Sequence, residues 1–274
     1  MNPYRPHPEK PWRDCVVLAY IDEPPFAKPD AEAGAAGCDV DLAITVLKTI
    51  GVKRVETCLT TFAELIPGVA AHRWDINVPL FVTAERSKVV AFSRPVWALH
   101  DGFIVMAGNP GGLKSYRAVA SALGARLGVI TGQVQHLAAL DAGVLPDQIH
   151  QFETQHVAVD ALRMGQIDAY VSTALGNRTF VRELGDRRLQ AVALENDAPA
   201  IKRPPPVGAF SFALGNTELR ERFDTCLEQY LGSPAHRERM AVYGLAETEI
   251  DPILPVRGAS LEFRRSRCDD DCAS

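Results

Sequence analysis

The order of apolar and polar positions divides the chain into alternating strands and helices. Residues 15–21 are almost all apolar, and the run ends in Asp22-Glu23-Pro24-Pro25-Phe26. Two prolines cannot continue a hydrogen-bonded ladder, so the pattern predicts a strand running into a loop. Val40, Leu42, Ala43, Val46, Leu47 and Ile50 then recur at helical spacing up to a stop at Gly51. A strand over 54–59, a helix over 62–71 and a strand over 74–79 follow by the same reading. Such alternation favours a largely parallel sheet with helices on both faces.

A strand over 103–106 ends at Gly108-Asn109-Pro110-Gly111-Gly112, the densest cluster of breakers in the chain. A second series begins after it, with helices over 115–123, 134–142 and 157–164 and strands over 126–130, 149–152 and 168–172. Pro204-Pro205-Pro206 closes that series. Beyond it come a strand over 207–214 and helices over 217–231 and 237–243. Two breaker clusters around a complete α/β unit predict two lobes joined by two crossover strands. The first lobe is expected to hold residues 1–107 and 208–274, the latter ending in an acidic tail, and the second, inserted lobe 108–207.

With 274 residues, 47% of them hydrophobic, the chain is long enough to bury a sizeable core. Charge points to no polyanionic partner: 29 basic against 34 acidic residues gives −5, and no basic stripe marks a nucleic-acid surface. No apolar run reaches the roughly 18 residues of a membrane span. The first fifteen residues hold no apolar leader segment, so the reading is periplasmic if an export signal is missing from this sequence and cytoplasmic otherwise. None of the six cysteines has C-x-x-C spacing; Cys15 and Cys38 read as buried thiols and the Cys268–Cys272 pair as part of a solvated tail. The seven histidines show no metal-binding spacing and read mostly as surface residues. No cofactor is expected, and no phosphate loop or nucleophile elbow is present.

The candidate chemistry lies in residues 62–95, FAELIPGVAAHRWDINVPLFVTAERSKVVAFSRP. Arg86 follows Thr83 by three residues at an expected strand-to-helix turn. A guanidinium is charged at any physiological pH and offers a fork of donors that matches a carboxylate in two bonds. Taken alone, Arg86 could equally pair with Glu85 on the surface, and Thr83 could simply cap a helix. Phe26, Phe62 and Phe81 could each be core residues, or together form an aromatic cage for a delocalised or alkylated cation.

This segment resembles the first-lobe signature of the bacterial extracellular solute-binding proteins of the polar amino-acid type, where F-x-x-L-I-P precedes an Asp-led strand, T-x-E-R and F-S-x-P. RERMAVYGL at 237–245 is similar to that family's closing signature. The resemblance runs from about Val16 to Leu245. It implies an α/β fold of type II periplasmic-binding-protein kind, a binding protein and not an enzyme, and a monomer delivering its ligand to the membrane subunits of an ABC transporter. By the same likeness Arg86 takes the ligand carboxylate with Thr83, and Phe62 stacks on the ligand. Thr131-Gly132-Gln133-Val134-Gln135 is similar to the family's second-lobe loop, with Gln133 and Val134 facing the ligand. Thr173 stands where amino-acid binders carry an Asp for the α-ammonium, which argues against an ordinary amino acid. Glu23, Phe26, Phe62, Phe81 and Arg86 together look like the pocket of ectoine- and hydroxyectoine-binding proteins. The alternatives are an enzyme on the same scaffold, similar to cyclohexadienyl dehydratase with Glu23 as its acid or base, and a ligand-sensing subunit.

Overall fold

The structure, a computed structural model, describes residues 12–195 and 205–255; Cys268, Cys272 and the acidic tail lie outside them. Along the chain come β1 (Cys15–Tyr20), β2 (Lys28–Asp30), β3 (Gly34–Ala36), α1 (Cys38–Thr49), β4 (Arg54–Leu59), α2 (Phe62–Ala70) and β5 (Ile76–Phe81). Then follow β6 (Val90–Phe92), β7 (Trp97–Ala98), β8 (Asp101–Met106), α3 (Tyr116–Ser121), β9 (Leu127–Ile130), α4 (Val134–Asp141) and β10 (Ile149–Phe152). The remainder is α5 (Gln155–Arg163), β11 (Ala169–Thr173), α6 (Ala174–Leu184), β12 (Leu189–Ala193), β13 (Val207–Ala213), α7 (Thr217–Tyr230), α8 (Pro234–Val242) and α9 (Glu247–Ile250).

Two main sheets result. One runs β4-β1-β5-β13-β6, with β7 also paired to β13; the other runs β10-β9-β11-β8-β12. Each contains a parallel trio, β4-β1-β5 and β10-β9-β11, extended by antiparallel strands. The antiparallel members are those next to the two crossings, so the sheets are less uniformly parallel than the sequence pattern implies. The strand expected to close the first unit before residue 107 pairs instead with β11 and β12 in the second sheet. The chain therefore leaves the first sheet after β7, near Leu99, and returns at Val207. The strand expected at 74–79 is Ile76–Phe81, because Asp75 turns its carboxylate onto the Val17 N–H at 2.8 Å and pairing with β1 starts at Ile76.

Alternation along the strands builds the cores. Leu18, Ile76, Val78, Phe210 and Phe212 face α1 and α7, where Val46, Leu47, Phe223 and Leu227 are buried. In the second sheet, Phe103, Val105, Leu127 and Val129 face α3 and α4, while Ile104, Ile130 and Tyr170 face α5 and α6. Each fully buried side chain of this size contributes about 1.5–3 kcal/mol against solvent exposure. Cys38 and Cys58 are buried free thiols, whereas Cys15 is half-buried. His236 departs from the surface reading: its ring is fully buried, accepts from the Gly232 N–H at 3.1 Å, and desolvation lowers its pKa to about 4.

Candidate functional site

Parallel neighbours end at the same edge of a sheet, so β1, β4 and β5 deliver the residues that follow them to one place. After β1 the chain curls tightly: the Glu23 N–H bonds the Ala27 carbonyl at 2.9 Å and the Phe26 N–H bonds the Glu23 carbonyl at 3.0 Å. That turn, the first residue of α2 and the last residue of β5 present Glu23, Phe26, Phe62 and Phe81. The second sheet supplies Gln133 and Val134 after β9, and Ser172 and Thr173 at the end of β11. The two carboxyl edges meet, and all eight of these side chains line one cavity of about 40 Å³.

Arg86, in a single 3-10 turn, Arg86–Lys88, does not line this cavity; it sits behind two residues that do, Phe62 and Phe81. Its residue is only 8% exposed. One guanidinium nitrogen donates to the Phe81 carbonyl at 2.8 Å, the other to the Gly132 carbonyl of the second sheet's loop at 2.9 Å. The Phe62 ring lies 5.3 Å beneath the guanidinium carbon. No carboxylate of a described residue pairs with it, and desolvation lowers its pKa to about 10. Gly132 has φ +85°, a conformation that aims its carbonyl at Arg86 and that other residues rarely adopt. Thr83 does not line the cavity. Its hydroxyl accepts the Arg86 N–H at 3.2 Å, so it pins the turn that carries the guanidinium.

Glu23 spans the two sheets. Ser172 Oγ donates to its Oε1 at 2.7 Å, and the Gln133 amide also bonds it. Burial raises the carboxyl pKa against the lowering effect of those two bonds. Thr173 Oγ1 is already engaged as the N-cap of α6, accepting the Gly176 N–H at 3.2 Å. Val134 packs against the first sheet's core from the other side of the cleft.

Three contributors escaped the sequence reading. Trp97 joins the phenylalanines, with its ring centroid 5.8 Å from Phe26 and 5.2 Å from Phe81. Asp39, buried in the first turn of α1, also lines the cavity and accepts from Trp97 Nε1 at 3.1 Å. Desolvation, only partly offset by that bond, pushes its pKa up to about 8. Ser172 is the third. An acidic residue opening an apolar helix reads as an ordinary dipole partner, which is why Asp39 gave no signal. The chamber thus offers four aromatic rings and two carboxyl groups, with the buried Arg86 guanidinium behind the Phe62 ring.

Residues 16–241 match the bacterial extracellular solute-binding proteins, family 3. The chain belongs to this family. Its two-sheet α/β architecture is that of the type II periplasmic binding proteins. A solved structure of EhuB in complex with hydroxyectoine superposes with a TM-score of 0.77, at 27% identity over 89% of this chain and 96% of that one. An ancestral arginine-binding protein bound to arginine gives a TM-score of 0.72 at 25% identity, covering 85% and 100%. Among curated proteins, a probable amino-acid ABC transporter periplasmic-binding protein of Sinorhizobium fredii is 26% identical over 244 residues, 88% of this chain and 80% of its own. This solute-binding protein therefore shares its fold with binders of both ectoine-type and amino-acid ligands.

Proposed function

We propose that this protein captures a small carboxylate-bearing zwitterion, ectoine-like or derived from an amino acid, and presents it to an amino-acid-type ABC transporter from the periplasm. The observation that carries the reading is Arg86: a nearly buried guanidinium between two sheets, with an aromatic face below it and no carboxylate of its own. Burying an uncompensated cation costs several kcal/mol, so a fold that retains one gains from a partner arriving in solution. The ligand carboxylate takes the guanidinium fork. Its positive end lies among Phe26, Phe62, Phe81 and Trp97, near Glu23 and Asp39. Rings of this kind contribute about 0.5–2 kcal/mol each to a desolvated cation. Thr173, committed to capping α6, leaves no anionic acceptor for a primary α-ammonium at that edge, which favours an alkylated or amidinium cation.

Binding is hinge closure: the first lobe (Glu23, the aromatics, Arg86) holds the ligand, and the second (Gln133, Val134, Ser172, Thr173) covers it. The crossing segment at 99–101 and the end of the return crossing at 205–206 form the hinge in this reading. Calorimetry with ectoine, glycine betaine, proline betaine and amino acids tests it. At least one zwitterion is expected to bind, while its carboxamide does not. Arg86→Lys, which keeps the charge but loses the fork, is expected to weaken binding about tenfold, and Arg86→Met about a hundredfold. Wild-type affinity in Arg86→Met would remove the carboxylate clamp.

A further inference from the structure

The first turn of α6 reaches from the second sheet onto the first. Leu175 is buried in the first sheet's core, in one cluster with Phe26 and Trp97. Its neighbour Gly176 lies over Phe26 itself: a Cβ built there would stand 3.2 Å from Cε2 of that ring and 3.7 Å from the Pro24 carbonyl oxygen. The backbone gives no reason for a glycine here, since Gly176 is the third residue of an α-helix, a conformation every residue adopts. Gly132, across the cleft from Phe62, differs: it needs its φ of +85°, and a Cβ there would meet that ring at an ordinary 3.5 Å. A glycine within a helix weakens the helix relative to alanine, so the reason for Gly176 is space.

Phe26 has nowhere to retreat. Its ring is backed by that of Trp97, centroids 5.8 Å apart, and both residues are buried. An added methyl group would have to push the ring toward the cavity or hold the two sheets apart, because close-packed surfaces do not yield freely. We propose that Gly176 is a positioning residue for ligand binding: the bare first turn of α6 lets the second lobe press onto the Phe26 ring and hold that wall of the aromatic cage against the ligand when the lobes close. This rests on the hinge-closure reading and adds to it what sets the depth of closure. The same Cβ would also come 2.8 Å from Oγ1 of Thr173, the N-cap of its own helix, so the test separates these two neighbours.

The probe is whichever zwitterion of the calorimetric panel the wild-type protein binds most tightly, followed by stopped flow. Gly176→Ala is expected to release it about tenfold faster and to leave its association rate unchanged, because encounter precedes closure. Without the probe, the melting temperature of Gly176→Ala is expected to equal or exceed that of the wild type, alanine being the better helix former. In a Phe26→Leu background, which lacks the contacted Cε2, the same substitution is expected to speed release less than about threefold. Unchanged release, a slowed association, a lowered melting temperature in the absence of probe, or an equal loss in the Phe26→Leu background overturns the inference while leaving the Arg86 reading intact. Should Phe26→Leu bind too weakly to follow, the rate split and the melting temperature of Gly176→Ala decide. If no zwitterion of the panel binds the wild type, the Arg86 reading falls and takes this one with it.

Discussion

Asp39 carries the clearest consequence of burial for a single side chain. Its folded carboxyl holds a proton up to about pH 8, against an ordinary value of 3.8 in the unfolded chain. Between those values the folded form binds the extra proton, so stability from this group is full near pH 4, falls as pH rises, and levels off above about 8. Asp39→Asn cannot ionise and is expected to lose less stability than the wild type between pH 5 and pH 8. Urea melts at those two pH values check this, and parallel losses in both proteins would refute it. Glu23 shifts in the same direction and its charge contributes to the Asp39 shift, so both proteins are compared in a Glu23→Gln background. The residues legible in the sequence were those whose chemistry is unusual for their position: Arg86 in T-x-E-R, and Phe26 after two prolines. Asp39, Trp97 and Ser172 were not, because each has a commonplace local role (first-turn acid, strand aromatic, strand serine) and gains its place only when distant segments meet.

The same division holds for secondary-structure elements. Strands and helices with a continuous apolar run or a clean helical stripe, such as β1, β9, α1 and α7, were readable from pattern alone. Helix α6 was missed because its buried face is Leu175, Gly176, Asn177, Thr179 and Phe180, most of it polar or small. Asn177 is buried there to bond the Gly102 carbonyl at 2.7 Å, a tertiary reason invisible to periodicity. Strands β6, β7 and β12 are short or lie at an edge, where pairing rather than hydrophobicity defines them. Within β13, Gly208 has a purpose that only packing reveals. A Cβ added there would lie 2.0 Å from the Trp97 ring, so the glycine lets that indole lie flat against the strand and still face the cavity. Gly208→Ala is expected to destabilise the fold by about 1–3 kcal/mol and to weaken ligand binding by displacing Trp97. Gly215→Ala, where an added Cβ meets nothing within 4 Å, serves as the control. Equal melting temperatures for the two variants would show that Trp97 has room to yield.

At the level of the whole molecule, the two sheets are tied by contacts of very different strength. At the first sheet the Leu99 N–H donates to the Pro206 carbonyl at 3.0 Å, and at the second the His100 carbonyl accepts the N–H of Ala174, the first residue of α6, at 2.8 Å. Among the side-chain contacts that then close the cleft are Glu23 with Ser172 and Gln133, Arg86 with Gly132, and Lys28 with Glu183 at 3.1 Å. Lys28 and Glu183 are both more than two-fifths exposed, and pairs of that kind contribute about 1 kcal/mol or less. The hydroxyl on Glu23 is shorter, shielded and aimed at a carboxyl group, a class worth about 1.5–3 kcal/mol when that group is ionised. If closure governs residence time, removing the shielded contact shortens it far more than removing the exposed one. Ser172→Ala is therefore expected to speed ligand dissociation about tenfold or more, and Lys28→Ala by less than about fivefold. Stopped-flow release of a bound zwitterion measures both. A larger effect from Lys28→Ala would mean that the rim, and not the Glu23 bridge inside it, holds the two sheets together.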